Sequence, residues 1–186
     1  MKLNLTTKIS KDHEEIILKE LEIVKKQAPT LYKYLIETKQ NTTALEGSCE
    51  VYVDGSFNLK KNIVGYGIVF SAANLATPQE LSGNTSDTLY TPFRNVAGEI
   101  LASLTAAHHA IKNGYKEIII NYDYTGIEAW VTGTWKAKNE LTQNYKTEMQ
   151  SLMKSGLIIT FQKVKAHSGN SGNERADKLA KEAAGI

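Results

Sequence analysis

The amino-acid sequence predicts an α/β domain: a five-stranded mixed sheet with its first three strands antiparallel, helices on both faces, and a helical N-terminal extension. Three observations carry that prediction. Beyond residue 47, runs rich in β-branched and aromatic residues alternate with segments of helical periodicity, in the order three strands, helix, strand, helices, strand, helix. The link between the first two strands, Asn58-Leu59-Lys60-Lys61-Asn62, is long enough only for antiparallel neighbours. A later run, Glu117 to Tyr122, holds three consecutive isoleucines, the mark of a strand covered on both faces.

Residues 1–47 differ in character from the rest. Strong helix formers fill residues 11–26, with Ile16, Ile17, Ile23 and Val24 giving a partial apolar stripe. Ser10 is placed to cap this helix, and Glu14 lies near the capping-box position. Gln27-Ala28-Pro29-Thr30 breaks it, and residues 31–39 form a second, shorter helix before a polar connector. The expectation is a helical hairpin packed on the main domain. It lacks the exposed aromatic and basic cluster of a nucleic-acid-binding arm.

From Ser48 the pattern turns to strands. Cys49 to Phe57 alternates apolar and polar residues, and Ile63 to Phe70 follows as its hairpin partner. A more polar third strand, suited to an edge, is expected between Gln79 and Thr88. Pro92 and Asn95 introduce a helix from about Val96 to Lys112, ended by Asn113-Gly114. Further helices are expected near 126–132 and 138–154, a fifth strand at 157–164 and a last helix at 173–184.

Composition narrows the setting. With 41% hydrophobic and 23% charged residues, the chain has the makings of a globular core. A net charge of only +2 means that any polyanion must be met by basic residues arranged locally. The single cysteine, Cys49, forbids an internal disulfide and suits a reducing compartment. No apolar run approaches the roughly 20 residues of a membrane span, and Lys2, Lys8, Lys11 and Asp12 interrupt any secretion-signal core. These features predict a cytoplasmic protein with no membrane association.

Four carboxylates point to chemistry. Asp54 sits in the middle of a strand suited to the core, where an unpaired carboxylate costs several kcal/mol unless hydrogen-bonded, protonated or metal-bound. Glu99 is three residues after Val96 on the stripe Val96, Ile100, Leu104, Ala107, Ile111, and so faces the sheet. Asp123 follows the C-terminal end of the isoleucine strand, where α/β sheets gather their ligands. Asp177 shares a helix face with Asn173, Ala180 and Ala184. Singly each reads more readily as a surface acid or a cap. Together they form a cluster that would repel itself without cations, and carboxylates lacking Cys or clustered His select hard ions, Mg²⁺ with Mn²⁺ as substitute.

Tyr52-Val53-Asp54-Gly55-Ser56, Ala97-Gly98-Glu99, Tyr122-Asp123 and Val164-Lys165-Ala166-His167-Ser168-Gly169, followed by Asn173-Glu174-Arg175-Ala176-Asp177, closely resemble type 1 ribonuclease H. The resemblance spans about residues 48–184, so 48–186 is expected to be a catalytic domain of ribonuclease H-like fold and 1–47 its helical extension. It implies that Asp54, Glu99, Asp123 and Asp177 hold two divalent ions. The reaction it implies is hydrolysis of the RNA strand of an RNA–DNA hybrid, leaving 5′-phosphate and 3′-hydroxyl ends.

His167 lies in a polar, glycine-rich loop. It reads either as a surface histidine without a role or as a proton shuttle or product-release group, and the resemblance favours the second. His108 and His109 are adjacent on a helix and point about 100° apart, too divergent for one ion. By family position Ser56, Asn95 and Asn173 meet the hybrid, with Asn173 also suited to cap the last helix. Lys60, Arg94, Lys61, Lys136 and Lys138 are candidates for phosphate contact, and Trp135 for stacking on a deoxyribose. Two departures stand out. Lys60 replaces a family asparagine that touches the hybrid, and the segment from Trp130 to Tyr145 is too short for the basic protrusion of some relatives. No stable protein partner is implied, although the N-terminal helices offer an interaction surface. Other nucleases or recombinases of the same fold, and a non-catalytic hybrid-binding module, are the competing readings.

Overall fold

The computed structural model describes residues 48–72, 75, 77–165 and 170–186. The predicted helices of residues 1–47 and the loop residue His167 lie outside the described residues. Five strands, β1 (Ser48–Asn58), β2 (Ile63–Ser71), β3 (Gln79–Thr85), β4 (Glu117–Tyr122) and β5 (Ile158–Lys163), form one sheet in the order β3-β2-β1-β4-β5. The β1–β2 and β2–β3 pairs are antiparallel, and the β1–β4 and β4–β5 pairs are parallel. The helices are α1 (Arg94–Lys112), α2 (Gly126–Thr132), α3 (Glu140–Lys154) and α4 (Ser171–Ala184).

Strand alternation divides the core into two layers. Cys49, Val51 and Val53 of β1 are buried together with Ile118 and Ile120 of β4 and residues of α1, α2 and α3. On the opposite face Tyr52 packs with Val69, Ala176 and Leu179 under α4. Helices therefore cover both faces, as the isoleucine strand predicted.

One detail of register makes room for a site. The β1–β4 pairing ends at Tyr52–Asn121, while β1 runs on to Asn58 with β2 as its partner. Beside Asp54 the β4 side of β1 is open, so side chains from helices on either face can reach over it. Glycines bring those helices close. A methyl on Gly98 of α1 would lie 2.5 Å from the Gly55 Cα, and one on Gly67 of β2 would lie 2.2 Å from the Ala176 carbonyl oxygen in α4. Neither clash can be relieved without moving backbone.

The boundaries differ from expectation in three places. Helix α1 starts at Arg94 behind a 3₁₀ turn (Thr91–Phe93), because Pro92 presets that turn. Helix α4 starts at Ser171, and its cap is Asn170, not Asn173: the Asn170 side chain accepts from the Gly172 and Asn173 amides at 3.0 and 3.2 Å. Ile111, predicted on the buried stripe of α1, is 40% exposed, whereas Ala110 is fully buried. Steps of four residues overshoot a turn by about 40° each, so a stripe built from them rotates off the sheet.

Candidate active site

The open side of β1 leads into a pocket of about 480 Å³ that all four predicted acids line: Asp54, Glu99, Asp123 and Asp177. Each arrives on a different element. Asp54 comes from β1 beyond its pairing with β4, and Glu99 from the second turn of α1, pressed down through the Gly98–Gly55 contact. Asp123 is the first residue after β4, and Asp177 lies in the middle of α4.

Burial and the charge of neighbouring acids raise the proton affinity of Asp54 and Glu99. The Asp54 carboxyl is pushed up to about 7, chiefly by burial and then by the charge of Asp123, with Asp177 adding to it. The Gly55 amide, donating to Asp54 Oδ1 at 2.6 Å, and the Lys181 ammonium oppose that rise. Glu99 is 5% exposed, and its carboxyl lies well above the usual carboxylate range. Burial is the main cause, followed by a hydrogen bond with Asp123 and the charges of Asp123 and Asp54. Glu99 Oε2 is buried without a hydrogen-bond partner among the described residues. A buried carboxylate oxygen without a partner, in a pocket shared with three other acids, is a poor arrangement for stability and a good one for a cation.

The acids share the pocket without collapsing onto one point. Among the described residues no three His, Cys, Asp or Glu side chains form a closed, ready-made metal cage. Repulsion between carboxylates favours that spacing. Only oxygen donors face the pocket from the acids, the donor chemistry that suits hard divalent cations.

Other predicted contact residues divide into four groups. Ser56 and Asn95 line the same pocket, Ser56 being only 7% exposed. Arg94 and Lys60 are exposed and lie outside the lining of this pocket, at the start of α1 and in the β1–β2 turn. Trp135 is 40% exposed and stands edge-on to Tyr124, ring centres 6.2 Å apart, while Tyr124 itself lines the pocket. Asn173 is different. It is 4% exposed, lies outside the pocket lining and has an Oδ1 without a partner among the described residues.

Sequence reasoning missed two lining residues, Tyr124 and Lys181. Lys181 Nζ donates to Asp177 Oδ2 at 2.7 Å, one helical turn away, and that four-residue spacing was the available signal. The divergence of the paired histidines holds: His108 meets Glu148, and His109 meets Gln79.

The sequence matches the family described as RNase H over residues 46–185. It is 28% identical over 146 residues to Ribonuclease H of Erythrobacter litoralis, covering 74% of this chain and 96% of that protein. Ribonuclease H of Francisella philomiragia is 32% identical over 143 residues, with 71% and 88% covered. Among solved structures, RNase H1 from the halophilic archaeon Halobacterium salinarum superposes with a TM-score of 0.61 at 22% identity, covering 74% of this chain and 97% of that one. LC11-RNase H1, crystallised in complex with an RNA/DNA hybrid, gives a TM-score of 0.60 at 21% identity, covering 74% and 96%. The shared fold and the family match along the whole described domain agree: the chain belongs to the RNase H family, type 1, and is an endoribonuclease of that family.

Proposed function

We propose that this domain hydrolyses the RNA strand of RNA–DNA hybrids with two divalent cations held by Asp54, Glu99, Asp123 and Asp177. Mg²⁺ is the ordinary ion and Mn²⁺ its substitute, and the products carry 5′-phosphate and 3′-hydroxyl ends. The observation that carries the reading is the convergence of four carboxylates, from two helices, the interior of β1 and the end of β4, on one pocket with a buried oxygen at Glu99 that has no partner among the described residues. Divalent cations bound there supply neutralisation of the charge on the scissile phosphate and activation of the attacking water.

The chain's own residues do the rest. Asp54, which lines the pocket and accepts from the Gly55 amide, would be one of the carboxylates that hold the ions. Glu99 and Asp123 approach from α1 and from the end of β4, and Asp177 closes the opposite side while tethered to Lys181. Asn95 and Ser56 border the acids, where a ribose hydroxyl would be recognised. Lys60 and Arg94 meet phosphates, Trp135 offers a stacking face, and Asn173 supports the start of α4 beneath the hybrid. His167, which precedes α4 in the sequence, moves a proton or assists product departure. A cytoplasmic setting accords with one free, buried cysteine.

Labelled RNA–DNA hybrid, duplex RNA and duplex DNA incubated with the full chain in Mg²⁺ or Mn²⁺ test the proposal. Cleavage confined to the RNA of the hybrid, abolished by EDTA and by Asp54→Asn, is the expected outcome. Full activity in Asp54→Asn, or no cleavage with either ion, refutes it.

A further inference from the structure

The two edges of the sheet are finished differently. Along β3, Arg175 of α4 holds Glu80, Asn84 donates to the Ala183 carbonyl, and Gly83 interrupts the strand. β5 ends the sheet on the other side, and among the described residues no strand pairs with its far side. The Ile158 and Val164 amides donate to the Lys116 and Tyr122 carbonyls, each at 2.8 Å. Alternation along the strand therefore turns the N–H and C=O groups of Ile159, Phe161 and Lys163 away from β4. The run Ile158-Ile159-Thr160-Phe161-Gln162 holds no charge, proline or glycine, the devices that usually blunt an open edge.

Beside this edge a groove of about 670 Å³ lies between β5, α2 and α3, with Val131, Met153, Ile159 and Phe161 as its apolar lining. Met153 is 39% exposed, and Ile158, on the other face of β5, is 59% exposed. Two polar side chains of the groove are spent inside the chain. Gln150 Nε2 donates to the Val131 carbonyl at 2.8 Å, and the Thr132 hydroxyl to the Glu128 carbonyl at 3.0 Å. Two charges remain, at opposite ends. Glu128 accepts from the hydroxyl of Tyr122, which pairs with Lys163 at the C-terminal end of β5. Lys154 stands in the last turn of α3, just ahead of the start of β5, and has no ion-pair partner among the described residues. The strand between them sets its own ends about 17 Å apart.

We propose that this edge is the interface of a homodimer, in which β5 pairs antiparallel with β5 of a second copy across a two-fold axis. The placement of charge identifies the occupant. A two-fold axis sets one patch against itself in reverse, so the start of one β5 meets the end of the other. Lys154 then faces the partner's Glu128, and Glu128 faces the partner's Lys154. A partner of one charge sign would be attracted at one end and repelled at the other. The outward groups of Ile159 and Phe161 complete the ladder, joining the two five-stranded sheets into one. The groove shares no lining residue with the acid pocket, so the inference stands apart from the hybrid-cleaving reading.

Sedimentation velocity of the full chain across the micromolar range tests this, with amide exchange followed by NMR at the lowest and highest concentrations. The parent should pass from monomer to dimer. Exchange at Ile159 and Phe161 should slow as dimer forms, while exchange at Thr160, whose amide faces β4, should not change. Lys154→Glu, at an exposed position, sets acid against acid at both ends and should weaken dimerisation about tenfold. Ile158→Lys puts a charge beside the open edge and should weaken it as well. Glu128→Lys combined with Lys154→Glu should restore the parental affinity. If that double variant does not fold, the single variants and the exchange decide. A parent that stays monomeric overturns the proposal, as does dimerisation that both single variants leave unchanged. Exchange at Ile159 and Phe161 already slow in the monomer would mean that another part of the chain covers the edge, and that too overturns it.

Discussion

At the scale of single residues, the acid pocket trades stability for function. Burial holds the Asp54 carboxyl up at about 7 in the fold, against an ordinary 3.8 for a free aspartate. Between those values the folded state holds more protons than the unfolded one, so this group's contribution is fully present at low pH and is lost as pH rises through 7. Glu99 shifts in the same direction. In EDTA, chemical denaturation should therefore show Asp54→Asn to be more stable than the parent at pH 8, by about 1–3 kcal/mol, and nearly equal to it at pH 4. A variant no more stable at pH 8 would contradict the burial argument. Lys181 acts in the opposite sense, as a cation already lodged among the acids. Because the pair is partly exposed, removing it should shift affinity only modestly: Lys181→Ala should tighten Mn²⁺ binding by about twofold to fivefold in calorimetry. Weaker binding would show that Lys181 orients Asp177 more than it competes for it.

At the scale of elements, what matters is how closely helices can approach β1. Gly98→Ala would set a methyl 2.5 Å from the Gly55 Cα and 2.5 Å from the Gly65 carbonyl oxygen, all backbone, so α1 must lift. Overpacking of that kind costs about 1–3 kcal/mol, and the lift carries Glu99 away from Asp54. Thermal melting should fall by several degrees, and hybrid cleavage should drop much further than the fraction unfolded explains. Activity that tracks the folded fraction alone would show that the glycine contact serves packing only. The same elements show what the sequence could and could not tell. The strands were legible because β-branched runs and a five-residue link leave few alternatives. The α4 start was not, because Asn170 and Asn173 are equally good caps by composition and only the observed turn chose the first. Ile111 misled because its spacing obeyed a four-residue step that the helix itself does not repeat. The Tyr124–Trp135 contact was out of reach, since the two rings meet across the α2 turn and no local pattern pairs them.

At the scale of the whole molecule, the acids belong together only when the chain is folded. In sequence, Asp54 and Asp177 are separated by most of the domain, and they meet because α4 is fastened across β2 and β3. Arg175 makes two 2.8 Å hydrogen bonds to Glu80, Asn84 donates to the Ala183 carbonyl at 3.0 Å, and Asn58 holds the helix's last carbonyls. An unfolded chain has no such pocket, so a cation that binds it must stabilise the fold by RT ln(1 + [L]/Kd), about 1.4 kcal/mol at tenfold saturation. Melting of the full chain at pH 8 should accordingly rise by a few degrees with millimolar Mn²⁺. The rise should be much smaller in Asp54→Asn and in Asp123→Asn, whose folds are otherwise spared repulsion. It should shrink as pH falls below 6, where protons compete for Asp54 and Glu99. An equal Mn²⁺ shift in parent and variants would mean that the ion stabilises the protein elsewhere, and the acids would then be neighbours without a shared ligand.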